Sequence, residues 1–250
     1  MNFLSNALGY IFTASHWAGS SGLGVRIGEH LEYTALAVLA AVVIAVPLGL
    51  FIGHTGRGIF LVVSAVNALR ALPTLGMLLL GVLLWGLGLV PPTVALLLLG
   101  VPPLLAGTYS GIANVDRTVV EAARAMGMTE RQVLFGVEVP NALPLILSGL
   151  RTATLQVVAT ATVAAYASLG GLGRYLIDGI KVRQFHLALV GAIMVTALAL
   201  LLDAMLALAV WLSAPGTGRL RPVPDLPDRE GQAVYADSGV SAGAMPRSPG

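Results

Sequence analysis

Charge and cysteine are what this sequence has least of. Charged residues make up 10% of the 250, aromatics 6%, and no cysteine occurs. Without thiols there is no disulfide framework, no cysteine nucleophile and no thiolate ligand for zinc or an iron–sulfur cluster. The histidines (His16, His30, His54, His186) stand singly, so no histidine-based metal site is spelled out either. No glycine-rich loop ends in Lys-Ser/Thr, which leaves the chain without the common nucleoside-triphosphate cradle. The net charge of +2 and the pI near 9.2 trace no nucleic-acid footprint. A water-soluble domain covers its surface with charged residues to about a quarter of its composition. This chain cannot, and with 56% hydrophobic residues and a mean hydropathy of +0.86 its solvent is expected to be lipid.

What is present divides into apolar runs. The start, residues 1–29, lacks the basic opening and compact apolar core of a signal peptide. Tyr10, Phe12 and Trp17 suit a headgroup zone, so it reads as an extracytoplasmic interfacial segment or as an unstructured leader. Residues 30–213 carry the expected spans. The first is His30 to Gly53, where Gly49 and Gly53 would let another helix come close. The second runs from Ile59 to about Trp85, interrupted by Arg70 and Pro73, where a missing amide predicts a break. A short third span covers Thr93 to about Thr108, a fourth Ala142 to Tyr166, and a fifth His186 to Leu212. A glycine-rich turn, SLGGLGRYLIDGIKVRQF, joins the last two. Dividing residues 59–111 differently gives six spans. Residues 214–250 are rich in proline, glycine, serine and charge and read as a disordered tail.

Five spans place the termini on opposite sides. Arg57, Arg117, Arg124, Arg131, Arg219 and Arg221 outnumber Arg26, Arg174, Lys181 and Arg183. The positive-inside rule then puts the C-terminus in the cytoplasm and the N-terminus outside.

The exception to the oily composition lies between spans three and four. Asp116, Arg117, Glu121, Arg124, Glu130, Arg131 and Glu138 crowd into one block. Thr118 with Glu121, and Thr129 with Gln132, match the capping box that satisfies free amides at a helix start. Two short helices are predicted near 119–126 and 130–137. Gly127 lies between them as a hinge, Ala122 and Ala123 offer a low surface for a partner, and Pro140 and Pro144 stop the second helix. The whole element, residues 114–140, reads as a cytoplasmic docking loop.

That block resembles a family. Glu121-Ala122-Ala123, three residues, Gly127, nine residues, Val137, one residue, Val139-Pro140 is similar to the EAA signature of bacterial ABC importer permeases. Those proteins usually carry isoleucine and leucine where the valines stand. The resemblance implies an all-α membrane protein of type I importer-permease architecture, with about five transmembrane helices and a cytoplasmic coupling helix pair in a bacterial inner membrane. It also implies that Glu121, Ala122, Ala123, Gly127 and Pro140 meet a separate ABC ATPase. The chain itself would then be no enzyme and hold no cofactor, ATP being bound by the partner. A second permease copy or homologue and an extracytoplasmic solute-binding protein complete the implied assembly, in membrane lipid and without nucleic acid.

His16-Trp17-Ala-Gly, Glu29-His30-Leu31, Asn67-x-x-Arg70-x-x-Pro73-Thr74 and the turn Leu169 to Gly179 look like the osmoprotectant subfamily, which carries glycine betaine, carnitine or choline. Methionine or amino-acid importer permeases share the glycine-rich turn and remain the alternative. A secondary transporter would instead show repeated halves and ionisable residues at mid-membrane. Arg70, Arg151 and Asp203 are such residues, but no internal repeat accompanies them. On straight helices all three lie roughly 15 Å from the cytoplasmic boundary. They are expected to face the translocation path or one another, with Asp203 neutralising Arg151 and Arg70 left beside Pro73. Independent snorkelling of each arginine is the competing arrangement.

Because the tail cannot bury enough surface to fold, truncation after Pro224 should leave solute uptake unchanged. Lost uptake at normal expression levels would assign the tail a role.

Overall fold

The computed structural model describes Phe3–Ser213; the tail lies outside the described residues, and with it the expectation of disorder. No strand occurs among the described residues. A short α1 (Phe3–Phe12) leads to α2 (Leu23–Thr55), and α3 (Ile59–Ala71) is followed by α4 (Thr74–Trp85). Then come α5 (Val90–Ala113), α6 (Arg117–Ala125), α7 (Glu130–Val133), α8 (Val139–Thr160), α9 (Gly173–Lys181) and α10 (Phe185–Ser213). A π turn, Leu134–Glu138, precedes α8, and a 3₁₀ turn, Ala161–Ala167, follows it. Four helical stretches are long and apolar enough to cross a bilayer, and α3 with α4 makes a fifth if counted as one broken span.

Several boundaries differ from the sequence reading, each for a physical reason. The first long helix begins at Leu23, inside the segment assigned to the N-terminal leader. Apolar length limits what sits in lipid, while the helix itself continues through the polar turn containing Arg26 and Glu29. The third span is not short. Pro91 and Pro92 occupy its first turn, where no amide is needed, and Pro102 and Pro103 lie buried inside it. The break at Pro73 is sharper than a kink, since Val62–Ala71 and Thr74–Trp85 meet at 87°. Half of the glycine-rich turn is helix α9; positive φ at Ser168 and Gly171 precedes it and at Arg183 follows it.

The bundle is centred on α2, α5 and α8, and small residues bring them together. Along α2, Ala37, Ala41, Ala45 and Gly49 recur every fourth position and are all buried. A Cβ built on Gly49 would stand 2.6 Å from Thr108 Cβ, and one on Gly53 2.6 Å from Ile112 Cβ. On the other side of α5, a Cβ on Gly107 would meet the Gly149 Cα of α8 at 2.7 Å. In lipid, where apolar side chains gain little by leaving their solvent, such close backbone approach is what holds helices together.

The outer helices are fastened differently. Helix α10 packs on α9, where Cβ atoms on Gly179 and Gly191 would strike backbone atoms at 2.5 and 2.9 Å. Ala7, Leu23 and Val190 form a cluster that ties α1 to α2 and α10. Between α8 and α10 the tie is ionic. Arg151 Nε donates to Asp203 Oδ1 at 2.6 Å, and its NH2 group to Oδ2 at 2.8 Å.

Gly107→Val should lower the melting temperature in detergent sharply, because overpacking costs about 1–3 kcal/mol and backbone atoms cannot retreat. Gly28→Ala, with nothing within 4 Å of the new methyl, should match or slightly exceed the wild type. For the ionic tie, removing one partner strands a charge in an apolar setting. Asp203→Asn alone should therefore reduce the yield of monodisperse protein more than Asp203→Asn with Arg151→Gln. Equal yields would mean the pair contributes no bracing.

Candidate functional site

Helix α6 starts because Asp116 accepts from the Thr118 amide at 2.8 Å. The expected Thr118–Glu121 box is not used; a side-chain acceptor two residues earlier caps the helix first. Glu121 is consequently exposed and has no hydrogen bond or ion pair among the described residues. The helix closes at Met126, whose amide bonds Ala122 O at 3.0 Å, and Gly127 turns the chain at φ +85°. A non-glycine residue in that region is sterically penalised. Helix α7 then opens with a complete capping box, Thr129 N donating to Gln132 Oε1 at 2.8 Å.

Pro140 does not stop this second helix. The chain passes from α7 through the π turn into α8 without leaving helical conformation. Pro140 sits in the first turn of α8, where its missing amide is tolerated, and the wider π ladder absorbs the mismatch. Asn141 Nδ2 also donates to Val137 O at 2.7 Å. The α7–α8 connection is thus a continuous lever rather than a joint.

Between the two short helices lies a small apolar core of Val120, Ala123 and Val133, with Val115, Met128 and Val137 packed around it. Ala123 is buried there at 2% exposure, so of the alanine pair only Ala122 faces outward. Its small size serves the closeness of α6 to α7 rather than an outer surface. The most exposed apolar groups of the block are instead Met126, 77% exposed, and Phe135, 59% exposed. The sequence reading missed both, although large apolar residues inside the most charged stretch of the chain were a visible signal.

The charges of the block bind it together across the hinge. Arg124 forks onto Glu130 through Nε and NH2 at 3.0 and 2.9 Å. That bond raises the Arg124 guanidinium above its ordinary range. Both side chains are well exposed, so solvent screening leaves the pair to set orientation more than stability. Unforeseen in the sequence, His54 at the end of α2 joins the network. Its Nδ1 lies 2.6 Å from Glu138 Oε2 and its Nε2 3.2 Å from Glu130 Oε2. Glu138 is only 5% exposed. A cavity of about 430 Å³ opens beside them, with Tyr109, Arg117, Glu121 and Arg124 in its wall.

Of the charges within the apolar helices, the structure brings Arg151 and Asp203 together and leaves Arg70 apart. Arg70 is exposed near the end of α3, with no hydrogen-bond or ion-pair partner among the described residues. Pro73 occupies the N-cap of α4. The 87° bend there invalidates a depth for Arg70 counted along a straight helix. Among the described residues no group of three or more histidine and acidic side chains is placed to hold a metal ion.

At the opposite end of the bundle, Glu29 accepts from Arg26 at 2.9 Å and from the Gly171 amide at 2.6 Å, pinning the glycine-rich turn to the start of α2. Tyr175 donates to Ser21 O at 2.8 Å. Burial, then neighbouring Tyr10, pushes the Tyr175 hydroxyl up to about 12, so it stays neutral at any physiological pH.

Comparison with known proteins fits this arrangement. Residues 45–210 match the family described as "Binding-protein-dependent transport system inner membrane component". The chain is 37% identical over 182 residues to a glycine betaine/carnitine/choline transport system permease protein of Bacillus subtilis, covering 73% of this chain and 84% of that one. A choline transport system permease protein of the same organism is 37% identical, with 72% and 83% covered. A carnitine transport permease protein of Listeria monocytogenes is 34% identical, with 72% and 82% covered. Among solved structures, an inward-facing methionine ABC transporter superposes with a TM-score of 0.65 at 21% identity, covering 74% of this chain and 93% of that one, a likeness of fold. With two-thirds of its length matched and its helices arranged as in an importer permease, this chain belongs to the inner-membrane components of binding-protein-dependent transport systems, as a multi-pass membrane permease.

Proposed function

We propose that the chain is the permease of an ATP-driven importer for a small osmoprotectant such as glycine betaine, carnitine or choline. The observation that carries the solute class is the naming of the relatives, at 34–37% identity over about 72% of the chain, for those solutes. The methionine transporters share the fold at 21–22% identity, which supports the architecture and not the solute. ATP is bound by a partner ATPase, and this chain holds no cofactor. A separate binding protein delivers the solute to the end carrying Arg26, Glu29 and α9, and a second permease, identical or homologous, completes the path.

The α6–α7 element is the surface offered to the ATPase. Ala122, Met126 and Phe135 face outward from it, with Glu121 unpaired beside them. Gly127 and the Arg124–Glu130 fork hold its two helices at a fixed angle, and α8 continues from it without a joint. Force applied there travels into the bundle. Because ATP is cytoplasmic, this end of the molecule faces the cytoplasm, which puts the N-terminus outside. Arg70 and Pro73 lie beside the path, where an accessible guanidinium suits the carboxylate of a zwitterion.

The test is uptake of labelled glycine betaine, carnitine, choline and methionine, with the ATPase and binding protein co-expressed in a host lacking its own carriers. ATP-dependent uptake of at least one quaternary ammonium solute is expected; uptake of methionine alone would overturn the solute class. Gly127→Val forces a β-branched residue to positive φ at a cost of about 1–3 kcal/mol. It should reduce ATPase copurification and uptake together while membrane insertion is retained. Wild-type values for both would remove the coupling role.

A further inference from the structure

The α6–α7 element has two covalent roots, α5 before it and α8 after it. His54 supplies a third attachment, and it comes from α2, which is not connected to the element in sequence. From the geometry we infer that His54 is a positioning residue for transport: a clasp through which α2 moves with the coupling helices. The inference rests on the coupling role just proposed.

The clasp reaches both halves of the lever. Glu138 belongs to the π turn at the root of α8 and is almost fully buried, so its carboxylate needs a partner. His54 Nδ1 provides it at 2.6 Å. Glu130 opens α7, and its Oε2 faces His54 Nε2 at 3.2 Å while the same carboxylate is held by Arg124 of α6. One imidazole therefore ties α2 to α7 and α8 directly, and to α6 through Glu130. A neutral ring has one N–H and can donate to one of these carboxylates; the doubly protonated ring donates to both. The remaining groups around it are Tyr109 from α5 and Arg117 and Glu121 from α6, all in the wall of the adjoining cavity.

Behind the clasp, α2 is built to transmit rather than absorb displacement. Gly49 and Gly53, within two turns of His54, sit against Thr108 and Ile112 of α5 with no room for a methyl group. Gly56 caps the helix immediately beyond, its amide bonding Ile52 O at 2.9 Å. A push on Glu138 is thus passed to α2, one helix continuous across Pro47, whose far end holds Glu29 and the glycine-rich turn. The clasp links the ATPase-facing surface to the opposite end through one helix.

The experiment uses the assembled transporter in proteoliposomes and reads solute moved per ATP hydrolysed. His54→Ala should lower that ratio several-fold while the ATPase still copurifies, and His54→Lys, which keeps a cation, should restore most of it. A purely structural histidine would be rescued equally by His54→Gln. Should His54→Ala fail to assemble, Glu130→Gln, at an exposed position, must lower the ratio in part, and the comparison of His54→Lys with His54→Gln still decides. An unchanged ratio in Glu130→Gln together with equal ratios in His54→Lys and His54→Gln would overturn the clasp. If Gly127→Val also leaves copurification and uptake intact, the coupling reading itself fails. If Gly127→Val uncouples and the His54 variants do not, only the clasp is lost.

Discussion

Everything in this molecule depends on backbone contact between α2, α5 and α8. Lipid removes the usual reason for apolar side chains to gather, since a leucine is as well solvated by acyl chains as by another helix. What remains is dispersion, which grows as surfaces come closer. The chain secures it by placing alanine and glycine wherever two of these helices cross. Gly100 of α5 illustrates the tolerance: a Cβ there would stand 3.3 Å from Val157 of α8 and 3.4 Å from Ala41 of α2. All three helices meet around one residue without a side chain. The bulky residues are correspondingly displaced outward, where Leu83, Val43 and Trp211 are 83%, 72% and 72% exposed. In water such a surface would aggregate, whereas in a membrane it meets lipid.

Close packing raises a second requirement, because every backbone group in that setting must be paired internally. The sharpest case is the end of α8. There the helix tightens into the 3₁₀ turn at Ala161, and the carbonyl of Val158 accepts from His30 Nε2 at 2.9 Å. Since a carbonyl can only accept, the proton resides on Nε2 and leaves Nδ1 as a lone pair. That atom is buried without a hydrogen-bond partner, next to Gly171. His30 and His54 thus stand near opposite ends of the same helix with opposite duties. The first bonds a backbone carbonyl as a neutral ring, and the second binds carboxylates. Residue type alone did not separate them.

Much of this was legible in the sequence. Long apolar runs marked α2, α8 and α10, the charged block marked α6 and α7, and Gly127 marked the hinge, because each is a local property of the chain. The failures were contextual. Thr93 looks like the start of the third span until Pro91 and Pro92 are seen in the first turn of α5, and Pro140 looks like a stop until the π turn is seen. Ala123 could not be distinguished from Ala122, since which faces outward depends on the angle between α6 and α7. His54 and Glu138 are 84 positions apart, and their contact follows only from the crossing of α2 with α8.

The same contrast explains how the polar residues of so oily a chain are used. Ion pairs in an apolar setting are costly to form and more costly to break, so they suit fixed connections. Arg151–Asp203 is of that kind, a fork joining two long helices whose contact is otherwise apolar. At the α6–α7 end the charges have a different setting. Arg124 and Glu130 are exposed, where solvent lowers the cost of rearrangement, while Glu138 is buried and anchored. The coupling role proposed for this surface calls for yielding bonds at its face and a fixed one at its root. His54 stands at the junction of the two, touching one exposed carboxylate and one buried one. On that proposal the outer pair can rearrange while the inner contact keeps α2 in register with α8.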